Sequence, residues 1–282
     1  MDSFAHCERL VRAADKDRFL ATLFAPRSHR RALFALYAFN VEVARVREQV
    51  REPIAGQVRL QWWSDMLAGT GHGDVTANPI AAALLATIER YRLPVRVLAD
   101  LVEARHFDLA DAPISAIGDL EDYADKTSSA LIALAAQILN GGADPGIGKL
   151  AFEGGIAYAM AGLLTAFPLH AARGQLYVPM SVMDRHQARR EDVFAGKATT
   201  QVRAALAEMR LHARRHLNAV KPLIAAAPPT LVPALLPIAL VRPRLARMER
   251  RKYDPFKPGD VPQWRRQWVL WRAARRPERI AE

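Results

Sequence analysis

Residues 28–63 read SHRRALFALYAFNVEVARVREQVREPIAGQVRLQWW, and the run from Ala32 to Phe39 inside them decides the fold class. Every residue of that run is apolar or aromatic, with neither Gly nor Pro. It shows no period-2 alternation and is long for a strand, so it predicts a helix buried on all sides. Such a helix needs other helices, or lipid, around it. Glu42, Arg45, Arg47 and Glu48 end the run too soon for a bilayer span. Ser28 is placed to cap its start, and Pro53 to open the next helix. The expectation is a soluble all-α protein with this helix as its central rod.

Working outward, residues 2–14 predict a short first helix, and Asp15-Lys16-Asp17-Arg18 a charged connector. The helix from Pro53 to about Leu67 carries Gln61, Trp62 and Trp63 in a row, so one indole must turn away from the core. Asn78-Pro79 opens a helix to about Arg92, and Pro94 another to about Leu109. A long helix is expected from Asp119 to Asn140, closed by Gly141-Gly142. Asp144-Pro145 opens the next, through the small-residue stretch Gly154 to Gly162, which lets helices approach closely or leaves room for a ligand. From near Thr200 to Lys221, Val202, Leu206, Met209, Ala213, Leu217 and Val220 repeat at helical spacing, and Pro222 is expected to interrupt. Leu223 to Val241 is uncharged, but four prolines argue against a membrane span and for a turn followed by a buried helix. With no repeat, linker or strand pattern, residues 1–282 are read as one domain.

Composition narrows the function classes. The chain is 51% hydrophobic and 24% charged, which is ordinary for a globular protein. One cysteine, Cys7, excludes an internal disulfide framework and a Cys-rich zinc site. From Arg242 onward thirteen Lys/Arg face five Asp/Glu, which accounts for eight of the eleven net positive charges. That tail suggests an anionic partner or a solvated face. Trp264, Trp268 and Trp271 share one face of a helix at about 262–276, with Arg265 and Arg272 beside them. This is either an interfacial helix on anionic lipid or a last helix docking its indoles on the bundle. Basic charge without a nucleic-acid-binding motif makes nucleic acid the weaker partner. His212-x-x-x-His216 has ligand spacing, but with no third ligand it reads as a solvated helix face and no metal site is expected. The N-terminal residues are partly acidic with no long apolar run, which predicts neither a signal nor a transit peptide.

Three stretches come in a recognisable order: Arg31 to Phe39, then Tyr123-Ala124-Asp125-Lys126-Thr127-Ser128-Ser129, then Arg173-Gly174-Gln175-Leu176-Tyr177-Val178-Pro179. With them the chain resembles the squalene/phytoene synthase superfamily from about Cys7 to Trp271. The resemblance implies the isoprenoid synthase fold, a single-domain helical bundle around a central cavity. It also implies two aspartate-rich motifs that hold magnesium and a diphosphate. Here those motifs are degenerate: their positions fall on Ala44, Arg45 and Glu48, and on Ala166 and His170 with Pro168 between. Magnesium needs oxygen ligands, and one glutamate beside two arginines cannot gather a cluster of divalent ions. No catalytic residue and no cofactor are therefore expected, and magnesium only if the chain is an active enzyme.

Phe39 to Ala44, Gln61-Trp62-Trp63, Thr127-Ser128-Ser129 and Pro168-Leu169-His170 are similar to a synthase-like subgroup typified by complex I assembly factor 6, which has also lost the aspartates. That resemblance implies a non-catalytic assembly factor for respiratory complex I, with complex I subunits or other assembly factors as partners. In a bacterial relative the place would be the cytoplasm, peripheral on the inner face of the plasma membrane. The alternatives are an active head-to-head prenyltransferase using farnesyl or geranylgeranyl diphosphate, and a lipid-binding membrane-surface module. Candidate cavity residues are Tyr37, Asn40, Glu48, Tyr123, Thr127, Gly162, His170 and Arg173, for an isoprenoid or anionic lipid. Arg45, Arg47 and Arg173 would either take an anionic head directly or simply pair with Glu42 and Glu48.

Overall fold

The computed structural model describes residues 2–50, 52–110 and 112–282, and among them no strand occurs. In chain order the helices are α1 (Ser3–Ala14), α2 (Lys16–Thr22), α3 (Arg27–Ala44), α4 (Val46–Gln49), α5 (Pro53–Ala68), α6 (Pro79–Tyr91), α7 (Val95–Arg105), α8 (Ile117–Ala124), α9 (Ala130–Leu139), α10 (Gly148–Ala172), α11 (Met180–Arg185), α12 (Arg190–Phe194), α13 (Thr200–Ile224), α14 (Val232–Leu235), α15 (Val241–Met248) and α16 (Gln263–Arg275). They group into two compact units whose segments interleave along the chain. One comprises Met1–Ala110, Ala130–Gly148 and Ala227–Leu235; the other comprises Asp111–Ser129, Lys149–Ala226 and Leu236–Glu282.

In the first unit α3 is buried from Ala32 through Val41 and packs against α1, α6 and α9. Each large side chain removed from water there contributes roughly 1.5–3 kcal/mol, which is why an unbroken apolar run is stable only at the centre of other helices. The helix starts two residues earlier than expected, with Pro26 at its N-cap position, so Ser28 lies in the first turn and caps nothing. The expected connector at Asp15–Arg18 is instead the start of α2. Asp15 caps it by accepting from the Arg18 amide at 3.0 Å, and Asp17 and Arg18 are buried. α5 begins at Pro53 as expected, with Trp63 buried and Trp62 half-buried. Asn78 accepts from the amides of Ile80 and Ala81 and so caps α6. After α9 the chain turns at Gly142, whose φ is +101° and where a Cβ would lie 2.8 Å from the Tyr91 carbonyl oxygen. Only glycine fits there.

In the second unit α8 runs into a π-helical turn, Asp125–Ser129, at which the long helix expected from Asp119 gains an extra residue. α10 starts at Gly148, later than Asp144-Pro145 suggested, because Asp144 forms a local turn onto the Gly146 amide. The helix continues through Pro168 to Ala172, and α13 through Pro222 to Ile224. Pro222 falls in the last turn and Pro168 just before it, so each lost amide bond lies near a helix end. The predicted apolar stripe of α13 is buried throughout. Leu231 to Leu235 of the first unit and Leu236 to Val241 of the second are all buried but are split among short turns and α14, not one rod. Among the described residues α10 is the helix long and apolar enough to cross a membrane, and 56% of its apolar window is buried in the protein.

Candidate functional site

Within the first unit, the candidate residues lie on α3 and the turn after it. Tyr37 is 2% exposed, and the Arg18 guanidinium lies 5.6 Å from its ring. Arg18 is itself paired with Asp15 at 2.8 Å. Burial pushes the Tyr37 hydroxyl above its usual range, against the opposing charge of Arg18. Asn40 is buried, and its Oδ1 has no hydrogen-bond partner among the described residues. One turn on, Ala44 is half-buried and Arg45 pairs with Glu48 at 3.5 Å, while Glu42 pairs with Arg59 of α5 at 3.8 Å. The Arg45–Glu48 pair is the one expected from spacing; the Arg59 partner is not. Arg18 was missed because its sequence neighbours look solvated, and the Asp15-x-x-Arg18 spacing was the available signal.

In the second unit the other candidates meet around α10. Tyr177 lies between Tyr123, at 6.1 Å between ring centroids, and His170, at 4.7 Å. Thr127 is buried and its hydroxyl donates to the Tyr123 carbonyl at 2.6 Å, so it serves the helix. The neighbouring Ser128 Oγ is buried with no partner among the described residues, and Ser129 donates to the Phe152 carbonyl. A Cβ on Gly155 would lie 2.4 Å from the Ser129 Cα, so the small-residue stretch does bring backbones together. Gly162, two turns on, faces open space. Ala166 and His170 are half-buried and Arg173 exposed. A slit of about 10 Å³, lined by Leu120, Met160, Phe167, His170, Tyr177 and Met209 among others, has room for one water at most.

The His212/His216 face is not solvated as expected. His216 is 6% exposed, with Nδ1 at 2.7 Å from Glu153 and Nε2 at 3.1 Å from Glu121. His212 and His186 both approach Glu208, at 3.7 and 2.7 Å. Burial, aided by the charge of Arg215, lowers the pKa of His212. These contacts tie α13 to α8, α10 and α11. At α16, Arg266, Leu270 and Ala273 face inward, while Trp264, Trp268 and Trp271 are 70%, 51% and 41% exposed. Trp264 stands mostly in solvent, while Trp268 and Trp271 are about half covered. Arg265 is half-buried and Arg272 exposed. Asp260, between Arg244 at 3.0 Å and Arg266 at 2.6 Å, holds the helix in place. Burial alone would raise the Asp260 carboxyl, but the two guanidinium groups outweigh it and hold the pKa at about 2.

The fold implies magnesium, and the residues present do not fit it. At the first motif the one carboxylate, Glu48, is already opposed by Arg45, and at the second Ala166 and His170 offer no carboxylate oxygen. Among the described residues no three His, Cys, Asp or Glu side chains gather where they could hold a metal ion.

An all-α fold of the isoprenoid synthase class is what these helices build. A crystal structure of a dehydrosqualene synthase in complex with a ligand superposes with a TM-score of 0.81, covering 96% of this chain and 94% of that one at 18% identity. Residues 11–272 match the squalene/phytoene synthase family, and the chain belongs to it. Complex I assembly factor 6 of Rattus norvegicus is 30% identical over 258 residues, 92% of this chain and 77% of that protein. A phytoene synthase of Arthrospira platensis is 24% identical over 95% of this chain and 91% of its own length.

Proposed function

We propose that this squalene/phytoene synthase-like chain is a non-catalytic assembly factor for respiratory complex I, acting through contacts with complex I subunits or with other assembly factors. The observation that carries the loss of catalysis is the missing carboxylates: Ala44, Arg45, Ala166 and His170 stand where the family's metal ligands would, and the one carboxylate left, Glu48, lies 3.5 Å from Arg45. A departing diphosphate needs its developing charge neutralised by bound ions, and a carboxylate already opposed by an arginine gathers none. The assembly role is supported by the similarity to complex I assembly factor 6 along 92% of the chain. The site of action would be the cytoplasm, at the inner face of the membrane that holds complex I.

Two measurements test this reading. Purified protein with farnesyl diphosphate and magnesium should release no pyrophosphate above background; turnover would restore the prenyltransferase alternative. Deleting the gene should lower the amount of intact complex I on native gels, and normal levels in the deletion strain would remove the assembly role.

A further inference from the structure

The second unit carries a basic pocket that the synthase chemistry does not use. It is an open cavity of about 260 Å³ between α15, α16 and the last turn of the chain, lined among others by Arg242, Arg265, Trp268, Arg272, Arg279 and Glu282. Four arginines thus line one space with one carboxylate side chain among them. Arg279 pairs with Glu282 at 3.8 Å; among the described residues Arg242, Arg265 and Arg272 have no carboxylate partner. Like charges gathered around one space repel, so the arrangement favours an anion between them. Guanidinium forks match phosphate oxygens two at a time, which makes a phosphate the best-fitting occupant.

A second observation says where that phosphate comes from. Trp264, Trp268 and Trp271 stand exposed along the same helix, and Trp268, which lines the pocket, stacks on Trp271 at 5.1 Å between centroids. Arg275 lies over the Trp271 ring at 5.0 Å. Indoles with an apolar body and one N–H donor settle at the headgroup level of a bilayer, beside arginines that meet its phosphates. Soluble phosphate would need the arginines alone and would leave three indoles in water. An acidic protein surface would meet the charge, but it offers no layer for a row of indoles to enter.

We infer that this pocket seats the phosphodiester headgroup of an anionic phospholipid, with the tryptophan row inserted beside it, so that α16 is a membrane-surface anchor. The Arg244–Asp260–Arg266 clamp, with both arginines buried, keeps the helix fixed to the body of the unit, so the anchor is preorganised. The inference stands on this geometry and does not depend on the assembly role.

Co-sedimentation of the full chain with vesicles tests it. Vesicles of phosphatidylcholine mixed with phosphatidylglycerol should carry the protein down, and pure phosphatidylcholine vesicles should not. Arg242→Gln and Arg272→Gln should each weaken that partition by about fivefold, and the pair by about twenty-fivefold. Arg250→Gln with Arg251→Gln removes equal charge from exposed positions outside the pocket and should weaken it much less. Trp268→Ala should lower partition and reduce the tryptophan blue shift on binding, leaving the part that Trp264 and Trp271 supply. Circular dichroism melting of each variant checks that the fold is intact, since all these side chains lie at the surface. Equal partition onto both vesicle types, or equal losses in the pocket and control pairs, would overturn the inference. Binding of glycerol phosphate by a protein that stays in the supernatant with both vesicle types would assign the pocket to a soluble phosphate ester and overturn it too. A wild-type protein left in the supernatant with every vesicle, yet captured by an acidic polypeptide, would hand the surface to a protein partner.

Discussion

The helices that bear the family's motif positions and the C-terminal segment from Arg242 onward use charge in opposite ways. On α3 and α10 the carboxylates that would bind metal are missing, and what remains is an exposed ion pair at the end of α3 and a set of small and aromatic side chains on α10. In the C-terminal segment a half-buried carboxylate is kept between two buried arginines, and further arginines line a pocket nearby. Charge has been removed where it would serve chemistry on a diphosphate and retained where it fixes a helix and meets an anion. A shared fold therefore says little about which of its parts still work, and the donor atoms say more.

The largest effect expected is at the clamp. Asp260→Asn leaves two buried guanidinium groups without their shared counter-ion and should destabilise the protein by about 3 kcal/mol, read as a fall in the denaturation midpoint. The carboxyl is held at about 2, below its ordinary value of 3.8. Its contribution is therefore complete above about pH 4 and fades as the pH falls toward 2. Wild-type stability should drop across that window more steeply than that of the Asn variant. Parallel pH profiles would show that the clamp is not a source of stability.

Next is α10, where two glycines should respond oppositely. Gly155→Ala places a Cβ against the Ser129 backbone, which cannot step aside as a flexible side chain would, and should destabilise by about 2 kcal/mol. Gly162 faces open space, so Gly162→Ala should stabilise by roughly 0.5–1 kcal/mol through helix propensity. The test is thermal melting of both variants side by side. A destabilising Gly162→Ala would mean that the space above it is filled in solution.

Sequence made the rods legible and hid most of their side-chain partners. The run Ala32–Phe39 contains nothing that tolerates water, so its burial could be read directly, and Asn78-Pro79 and Gly141-Gly142 marked helix ends by local chemistry alone. α2 was missed because Asp15-Lys16-Asp17-Arg18 reads as solvated, whereas Arg18 is buried with its guanidinium over the Tyr37 ring, a tertiary partner. His216 looked solvated for the same reason, since its carboxylates, Glu121 and Glu153, lie far away in sequence. The site divides likewise. The loss of the aspartates could be read off position by position, whereas the meeting of Arg242 and Arg279 with the α16 arginines depends on how the last turn folds back.

The smallest effect separates the two kinds of arginine most cleanly. Arg45 and Glu48 are 3.5 Å apart with side chains 48% and 35% exposed, so water and salt screen their attraction and both must give up rotamer freedom to meet. Arg45→Ala should change stability by no more than about 0.5 kcal/mol, and a double-mutant cycle with Glu48→Ala should give a coupling of the same size that vanishes in high salt. At the Asp260 clamp, where Arg244 and Arg266 are 8% and 10% exposed, the corresponding coupling should survive salt. A salt-resistant coupling at Arg45 would mean that this pair is desolvated, and that the end of α3 is a shielded site and not a vestige.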